Sequence, residues 1–179
     1  MTETKKSSGS IVKLALILFM VAAVTAGILG IVNYVTKDRI AEIEAQKTAK
    51  AFAEVLVADS YDKVEYTGAS EITGIFKAGD AGYVVQLKIS GAQGMIDLVV
   101  GVDNNITATG VSIISHGETP GLGAKATEPE FRDQFVGTSG TVAVTKDGGT
   151  IESISGATIT SRAIANAVTT ALEAVSTLG

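Results

Sequence analysis

Residues 83–100 read YVVQLKISGAQGMIDLVV, and the period of this stretch decides the fold. Tyr83, Val85, Leu87 and Ile89 fall at every second position, and so do Ile96, Leu98 and Val100. Such alternation puts the apolar side chains on one face of a pleated strand, so the stretch predicts two strands with a shared buried face. Between them, Ser90-Gly91-Ala92-Gln93-Gly94 reads as a hairpin loop. Further on, Asp103-Asn104-Asn105 has the composition of a turn, and a third strand is expected at Thr107–Ile114, which extends the pair into an antiparallel meander.

Beyond these strands the pattern changes. Ser115 to Ala126 is rich in Gly and polar residues and reads as a loop. A short helix should follow, because Thr127 and Glu130 have capping-box spacing, Pro129 suits a first turn, and Phe131 and Phe135 share a face. Thr141–Thr145 reads as another strand, closed by an exposed Asp147-Gly148-Gly149 turn. A last helix is expected from about Thr158, where Ile164, Val168, Leu172 and Val175 make an apolar stripe. Strands followed by helices without strict alternation define an α+β class, a mostly antiparallel sheet with flanking helices.

Upstream, residues 14–35 (LALILFMVAAVTAGILGIVNYV) form a run of 22 with almost no charge. As a helix it is about 33 Å long, the hydrocarbon thickness of a bilayer. It exceeds the apolar core of a cleaved signal peptide, and the reading is one transmembrane helix. Before it, residues 1–13 are a short tail too polar to fold. After it, no Gly or Pro occurs from Ile31 to Thr67, and Ile40, Ile43, Ala49, Phe52, Ala53 and Leu56 recur at helical spacing. The helix should therefore continue as a stalk over residues 36–60, ending near Val57 to Ser60, with one folded domain over 61–179. Lys5, Lys6 and Lys13 lie before the span and Lys37, Arg39, Lys47 and Lys50 after it, so charge leaves orientation open.

A net charge of −5 over 179 residues speaks against a nucleic-acid partner, which requires a basic stripe. With no cysteine the chain has no disulfide, thiolate metal site or cysteine-held iron–sulfur cluster, so any redox chemistry comes from a non-metal cofactor or from elsewhere.

Two segments suggest a site. The first is Ser155-Gly156-Ala157-Thr158, with Ile159-Thr160-Ser161 behind it, where the chain enters the last helix. Helix N–H groups and the positive dipole end attract an anion such as phosphate there, beside the Thr158 hydroxyl. The plainer reading is that Ser155, Thr158 or Thr160 caps the helix. Ile89-Ser90-Gly91-Ala92 repeats Ile154-Ser155-Gly156-Ala157 within the hairpin, so most of the pattern can occur without a site. The second segment is His116-Gly117-Glu118-Thr119-Pro120-Gly121-Leu122-Gly123-Ala124-Lys125, a loop whose glycines and proline fix a backbone path that can approach a planar ligand closely. A lone histidine with no cysteine makes a metal site at His116 and Glu118 the poorer reading, and a solvated loop histidine is commoner; Glu118 and Lys125 either position a ligand or are solvated loop residues.

Ser155-Gly156-Ala157-Thr158 opening a C-terminal helix, the upstream Glu118-Thr119-Pro120-Gly121-Leu122-Gly123, and an N-terminal span together resemble the G subunit of the Rnf electron-transport complex. That family is similar to the C subunit of the sodium-translocating NADH:quinone oxidoreductase. The resemblance covers essentially the whole chain. It implies an FMN-binding domain with FMN joined covalently, through its phosphate, to Thr158. It also implies contacts from Ser155, Gly156, Ala157, Glu118, Thr119, Gly121, Leu122, Gly123 and Lys125, a separate flavin transferase that uses FAD, and other subunits of a membrane redox complex. Related motifs place aspartate three residues before the serine; here Glu152 keeps the charge. The implied role is an electron-carrying subunit of an ion-translocating ferredoxin:NAD⁺ oxidoreductase in the cytoplasmic membrane, with its domain on the extracytoplasmic side. Two other readings are a pilin-like structural subunit and a membrane-anchored flavin-dependent reductase. The first lacks the glutamate usual early in a pilin's apolar run, and the second lacks an obvious general acid beyond His116 or Glu118.

Overall fold

The computed structural model describes residues 7–178. The chain divides into two units, one ending at Gln46 and the other beginning at Lys47. The first is most of a single helix, α1 (Ser7–Val55), which is long and apolar enough to cross a membrane, and residues 11–46 are exposed throughout. Lys5 and Lys6 lie outside the described residues. Residues 7–13, expected as an unfolded polar tail, are helical. Once the apolar run has nucleated a helix, adding polar residues to its end costs little.

The second unit contains the last turns of α1 and a five-stranded antiparallel sheet in the order β1-β2-β3-β4-β5. The strands are β1 (Asp62–Val64), β2 (Ile72–Ala78), β3 (Gly82–Ser90), β4 (Met95–Asp103) and β5 (Ala108–His116). The expected hairpin is β3–β4, with Ser90 opposite Met95 and Gly91 N–H donating to the Gly94 carbonyl at 2.8 Å. Asp103 shapes the next turn by accepting from the N–H groups of Asn105 and Thr107 at 2.8 and 2.9 Å. The first two strands are additions that the sequence pattern does not announce.

The sheet is covered on both faces. Val85, Leu87, Ile89, Ile96, Leu98, Val100 and Val102 are buried in one core with Ile164, Val168, Leu172 and Val175 of α2, the helix Thr158–Ser176. Each of these side chains contributes roughly 1.5–3 kcal/mol by leaving water. On the opposite face Val84 and Val99 pack with Ala51, Phe52 and Val55, the end of α1, where Phe52 meets Phe76 and Tyr61 edge-on at 4.9 and 5.2 Å. Ile40, Ile43 and Ala53, placed in the expected stalk stripe, are exposed instead.

The α1 helix stops at Val55, short of the expected Val57 to Ser60, because side chains take its last carbonyls. Thr109 donates to the Val55 carbonyl at 2.5 Å and Tyr61 to that of Leu56 at 2.7 Å. Gly101 makes this approach possible, since a Cβ there would stand 2.6 Å from the Val55 oxygen. Glu54 completes the joint by accepting from Ser112 at 2.7 Å and pairing with Arg132 at 3.2 Å. The Ser112 hydroxyl in particular holds its carboxyl below the ordinary value.

Two local expectations change. The short helix Pro129–Arg132 has Pro129 in its first turn, and Phe131 and Phe135 are buried 5.3 Å apart, but Thr127 does not cap it. Glu128 is the N-cap residue, and the Thr127 hydroxyl donates back to the Ala124 carbonyl at 2.9 Å. Thr141–Thr145 is not a strand. Val144 makes a single parallel bridge to Ile151, the Val142 N–H donates to the Thr169 hydroxyl at 2.9 Å, and Thr145–Asp147 is a 3-10 turn. The following turn is as expected, with Gly148 at φ 87°.

Candidate functional site

The two candidate segments, some forty residues apart in sequence, pack against each other. Pro120 and Gly121 (φ 76°) occupy the central positions of a tight turn that the Leu122 N–H closes onto the Thr119 carbonyl at 3.2 Å. The turn brings Leu122 against Gly156 (φ 77°), where a Cβ would stand 3.0 Å from the leucine Cδ2. Glycine at 156 therefore serves both a left-handed backbone and a close approach.

Glu118 ties the segments together from inside. It is only 6% exposed and accepts from the Thr160 hydroxyl at 2.7 Å, where Thr160 is fully buried in the first turn of α2. Its other oxygen accepts from the Gln93 N–H at 3.1 Å, and the amides of Ala92 and Gly94 contribute too. Burial alone would raise its pKa, but the Thr160 hydroxyl and these three amides outweigh burial and hold the carboxyl below its ordinary value. Gly91 and Gly123 leave room for it, since a Cβ at either would collide with the carboxylate. Glu118 is thus not the solvated loop residue that its neighbouring glycines suggested. The Ile89-Ser90-Gly91-Ala92 repeat acquires a purpose as well, because that hairpin is an amide nest for an internal carboxylate. His116 accepts the Glu118 N–H on its Nδ1 at 3.2 Å.

The helix entrance is open. The N-cap position is Ala157, without a side-chain cap, so the capping reading of Ser155, Thr158 and Thr160 does not hold. Thr160 is committed to Glu118, and Ser161 accepts from the Ile154 N–H at 3.0 Å and donates to the Ala157 carbonyl at 3.0 Å. Ser155 and Gly156 are exposed, Ala157 is buried and Thr158 is half-buried.

One neighbour of Thr158 escaped the sequence. Lys146 Nζ donates to Thr158 Oγ1 at 3.1 Å, so a lysine that is distant in sequence stands by this hydroxyl in space. The next residue, Asp147, grips Arg162 with both oxygens, at 2.5 and 2.8 Å. The hydrogen bond from Arg162 keeps the Asp147 carboxyl below its ordinary value.

Beside the tetrapeptide lies a cleft of about 570 Å³. Its lining includes Ser155, Lys125, Phe131, Glu128, Glu130 and Glu152, and Lys125 is the one cation among the lining residues. Gln134 holds this wall by accepting from the Glu152 N–H at 2.7 Å. Of the site residues named from sequence, only Ser155 and Lys125 line the cleft, and Thr119, Gly121 and Leu122 lie on the neighbouring turn, all three exposed. Phe131 and Gln134 escape the sequence reading as site residues, because their local pattern speaks only of a short helix.

Comparison with known proteins gives two family models along the chain: an RnfG N-terminal region over residues 1–55 and an FMN-binding domain over residues 91–173. The G subunit of the ion-translocating oxidoreductase complex of Methanosarcina acetivorans is 36% identical, over 94% of this chain and 96% of that protein. The G subunit of the Na(+)-translocating ferredoxin:NAD(+) oxidoreductase complex of Acetobacterium woodii is 32% identical, over 90% and 89%. The solved structure of the C subunit of Na(+)-translocating NADH-quinone reductase from Parabacteroides distasonis is 25% identical, covering 67% of this chain and 73% of that one, with a TM-score of 0.46. Near full-length identity above 30%, and family models over both the apolar helix and the sheet domain, show that this chain belongs to the family of G subunits of the ion-translocating, Rnf-type oxidoreductase complexes.

Proposed function

We propose that the chain is the membrane-anchored electron-transfer subunit of an ion-translocating ferredoxin:NAD⁺ oxidoreductase complex and carries FMN joined through a phosphodiester to Thr158. The observation that carries the attachment point is the half-buried Thr158 hydroxyl at an uncapped helix N-terminus, with the Lys146 ammonium 3.1 Å away. A phosphate fits that combination, which offers a cation and a positive dipole end. The neighbouring cleft of about 570 Å³ falls within the size range of pockets that hold cofactor-sized molecules. Bound there, FMN supplies one- and two-electron redox chemistry, which this cysteine-free chain lacks among its own side chains.

The chain's residues divide the work. Thr158 is the tether, Ser155, Gly156 and Ala157 shape the backbone before it, and Lys125 brings a positive charge to the cleft. Thr119, Gly121, Leu122 and Gly123 form the turn against Gly156, and Glu118 positions that turn from within and does not face the ligand. Among the described residues Thr158 is met by the Lys146 ammonium, which only donates and cannot serve it as a base. A separate flavin transferase with FAD as donor supplies the activation. The single apolar helix has no charges in its central part, so the ion path belongs to partner subunits.

Membranes whose complex lacks this chain are expected to lose ferredoxin-dependent NAD⁺ reduction. The wild-type chain restores it and the Thr158→Ala chain does not; full activity with Thr158→Ala would contradict the proposed electron path.

The domain is placed on the extracytoplasmic side, where a tether prevents loss of the cofactor by dilution. Asp147 is a poor place for a reporter because it is paired with Arg162, whereas Thr67 is exposed and outside every strand. Thr67→Cys should react with a membrane-impermeant maleimide in intact cells. Labelling only after lysis would put the domain in the cytoplasm.

A further inference from the structure

We propose that Lys146 is the positioning residue for phosphoryl transfer onto Thr158 and the lasting counter-charge of the phosphodiester, held in place by the Asp147–Arg162 pair. The inference rests on Thr158 being the attachment point and goes beyond it by naming what receives the phosphate.

Lys146 lies in the Thr145–Asp147 turn, twelve residues before Thr158. Four features carry it to the helix entrance. The Val144–Ile151 bridge closes the segment on itself, and Gly148 at φ 87° reverses the chain. Gly149 has no room for a Cβ against the Ala143 carbonyl, which keeps the turn tight. The bidentate Asp147–Arg162 pair then fastens the turn to α2 one helical turn beyond Thr158. The clamp also decides which cation is available. The Arg162 guanidinium turns its Nε and Nη2 edge to Asp147 and neutralises it, the carboxylate next to Lys146 in sequence. The Lys146 ammonium is exposed and spends one of its three donors, on Thr158 Oγ1.

That hydrogen bond has a direction with a consequence. An ammonium can only donate, so the Thr158 oxygen is the acceptor and its own proton is left for a base of the transferase. In the transfer, Thr158 Oγ bonds to the FMN-side phosphorus of FAD while the pyrophosphate P–O bond breaks. AMP leaves, the hydroxyl proton passes to the transferase, and Lys146 only donates its hydrogen bonds. Its two remaining donors are left for the phosphoryl oxygens on which charge develops, and the uncapped N-terminus of α2 adds its positive dipole end there.

The test measures initial rates of covalent flavin incorporation into the full chain in detergent, with flavin transferase and FAD, read as fluorescence in denaturing gels at low and high salt. A buried donor of this kind is worth about a hundredfold or more in rate, and exposure to water reduces it to about tenfold. Lys146→Gln should therefore be about tenfold slower, with a flatter salt dependence, and Lys146→Arg should recover most of the rate. Thermal unfolding of Lys146→Gln should match wild type, because the side chain is exposed. A wild-type rate in Lys146→Gln, or a loss of rate with the salt dependence intact and no rescue by arginine, overturns the proposal. Label lost in Thr158→Ala but undiminished in Lys146→Gln overturns it alone, whereas label persisting in Thr158→Ala removes the attachment point and this inference with it.

Discussion

Thr158→Ala is expected to abolish covalent flavin and leave the fold intact. The hydroxyl supplies the oxygen of the proposed bond, so its loss is all-or-none for attachment. Stability should scarcely change, for a reason the structure makes specific. A capping threonine replaced by alanine costs ~1 kcal/mol, but Thr158 caps nothing; its side chain bonds to an exposed lysine, and alanine is the best helix former. In a denaturing gel the variant should be dark and its unfolding midpoint near wild type. A band of undiminished brightness would remove Thr158 from the account. Thr160, the next hydroxyl in sequence, would not inherit the role, because it is fully buried and bonded to Glu118; exposed Ser155 would be the candidate.

Glu118→Ala should have the largest effect on stability, about 3 kcal/mol, because it removes the acceptor of a buried hydroxyl and of the hairpin amides at once. The same carboxylate predicts a pH dependence. Its folded pKa lies below the unfolded value, which is about 4.3, so its contribution is complete above that value and is lost as pH falls through the lower, folded one. Wild type should lose stability on acidification through this range, and Glu118→Ala should lose less over the same interval. Denaturant unfolding of the full chain in detergent measures both. A cost below about 1 kcal/mol with an unchanged acid profile would mean that this carboxylate does not join the two segments.

The parts of the fold visible in the sequence are those in which one local period coincides with one buried face. Tyr83 to Val100 alternates and makes up two central strands of the sheet, and Ile164, Val168, Leu172 and Val175 repeat at helical spacing and face that sheet. The strand β2 is hidden because Gly74 and a register shift between Ile72 and Gly74 interrupt its alternation, and β1 has only three residues. Thr141–Thr145 has strand-like composition, but the Val142 N–H goes to the Thr169 hydroxyl and only the Thr145 N–H reaches across the turn to the Ile151 carbonyl, so no ladder forms.

At the site, Thr158 and the glycine turn are legible because short motifs carry them. The roles of Glu118 and Lys146 are not, because they depend on partners 42 and 12 residues away, which no local pattern encodes. Gly91 is the clearest case. In sequence it imitates the site tetrapeptide, whereas in the fold it is the gap that admits the Glu118 carboxylate.

A flavin carried on Thr158 as a phosphodiester is read out by the intact mass of the full-length protein, produced with its flavin transferase. The expected mass exceeds that of the unmodified chain by one FMN less one water, with the addition mapping to the peptide that contains Thr158. A mass equal to that of the bare chain, or an addition on a peptide without Thr158, would contradict it.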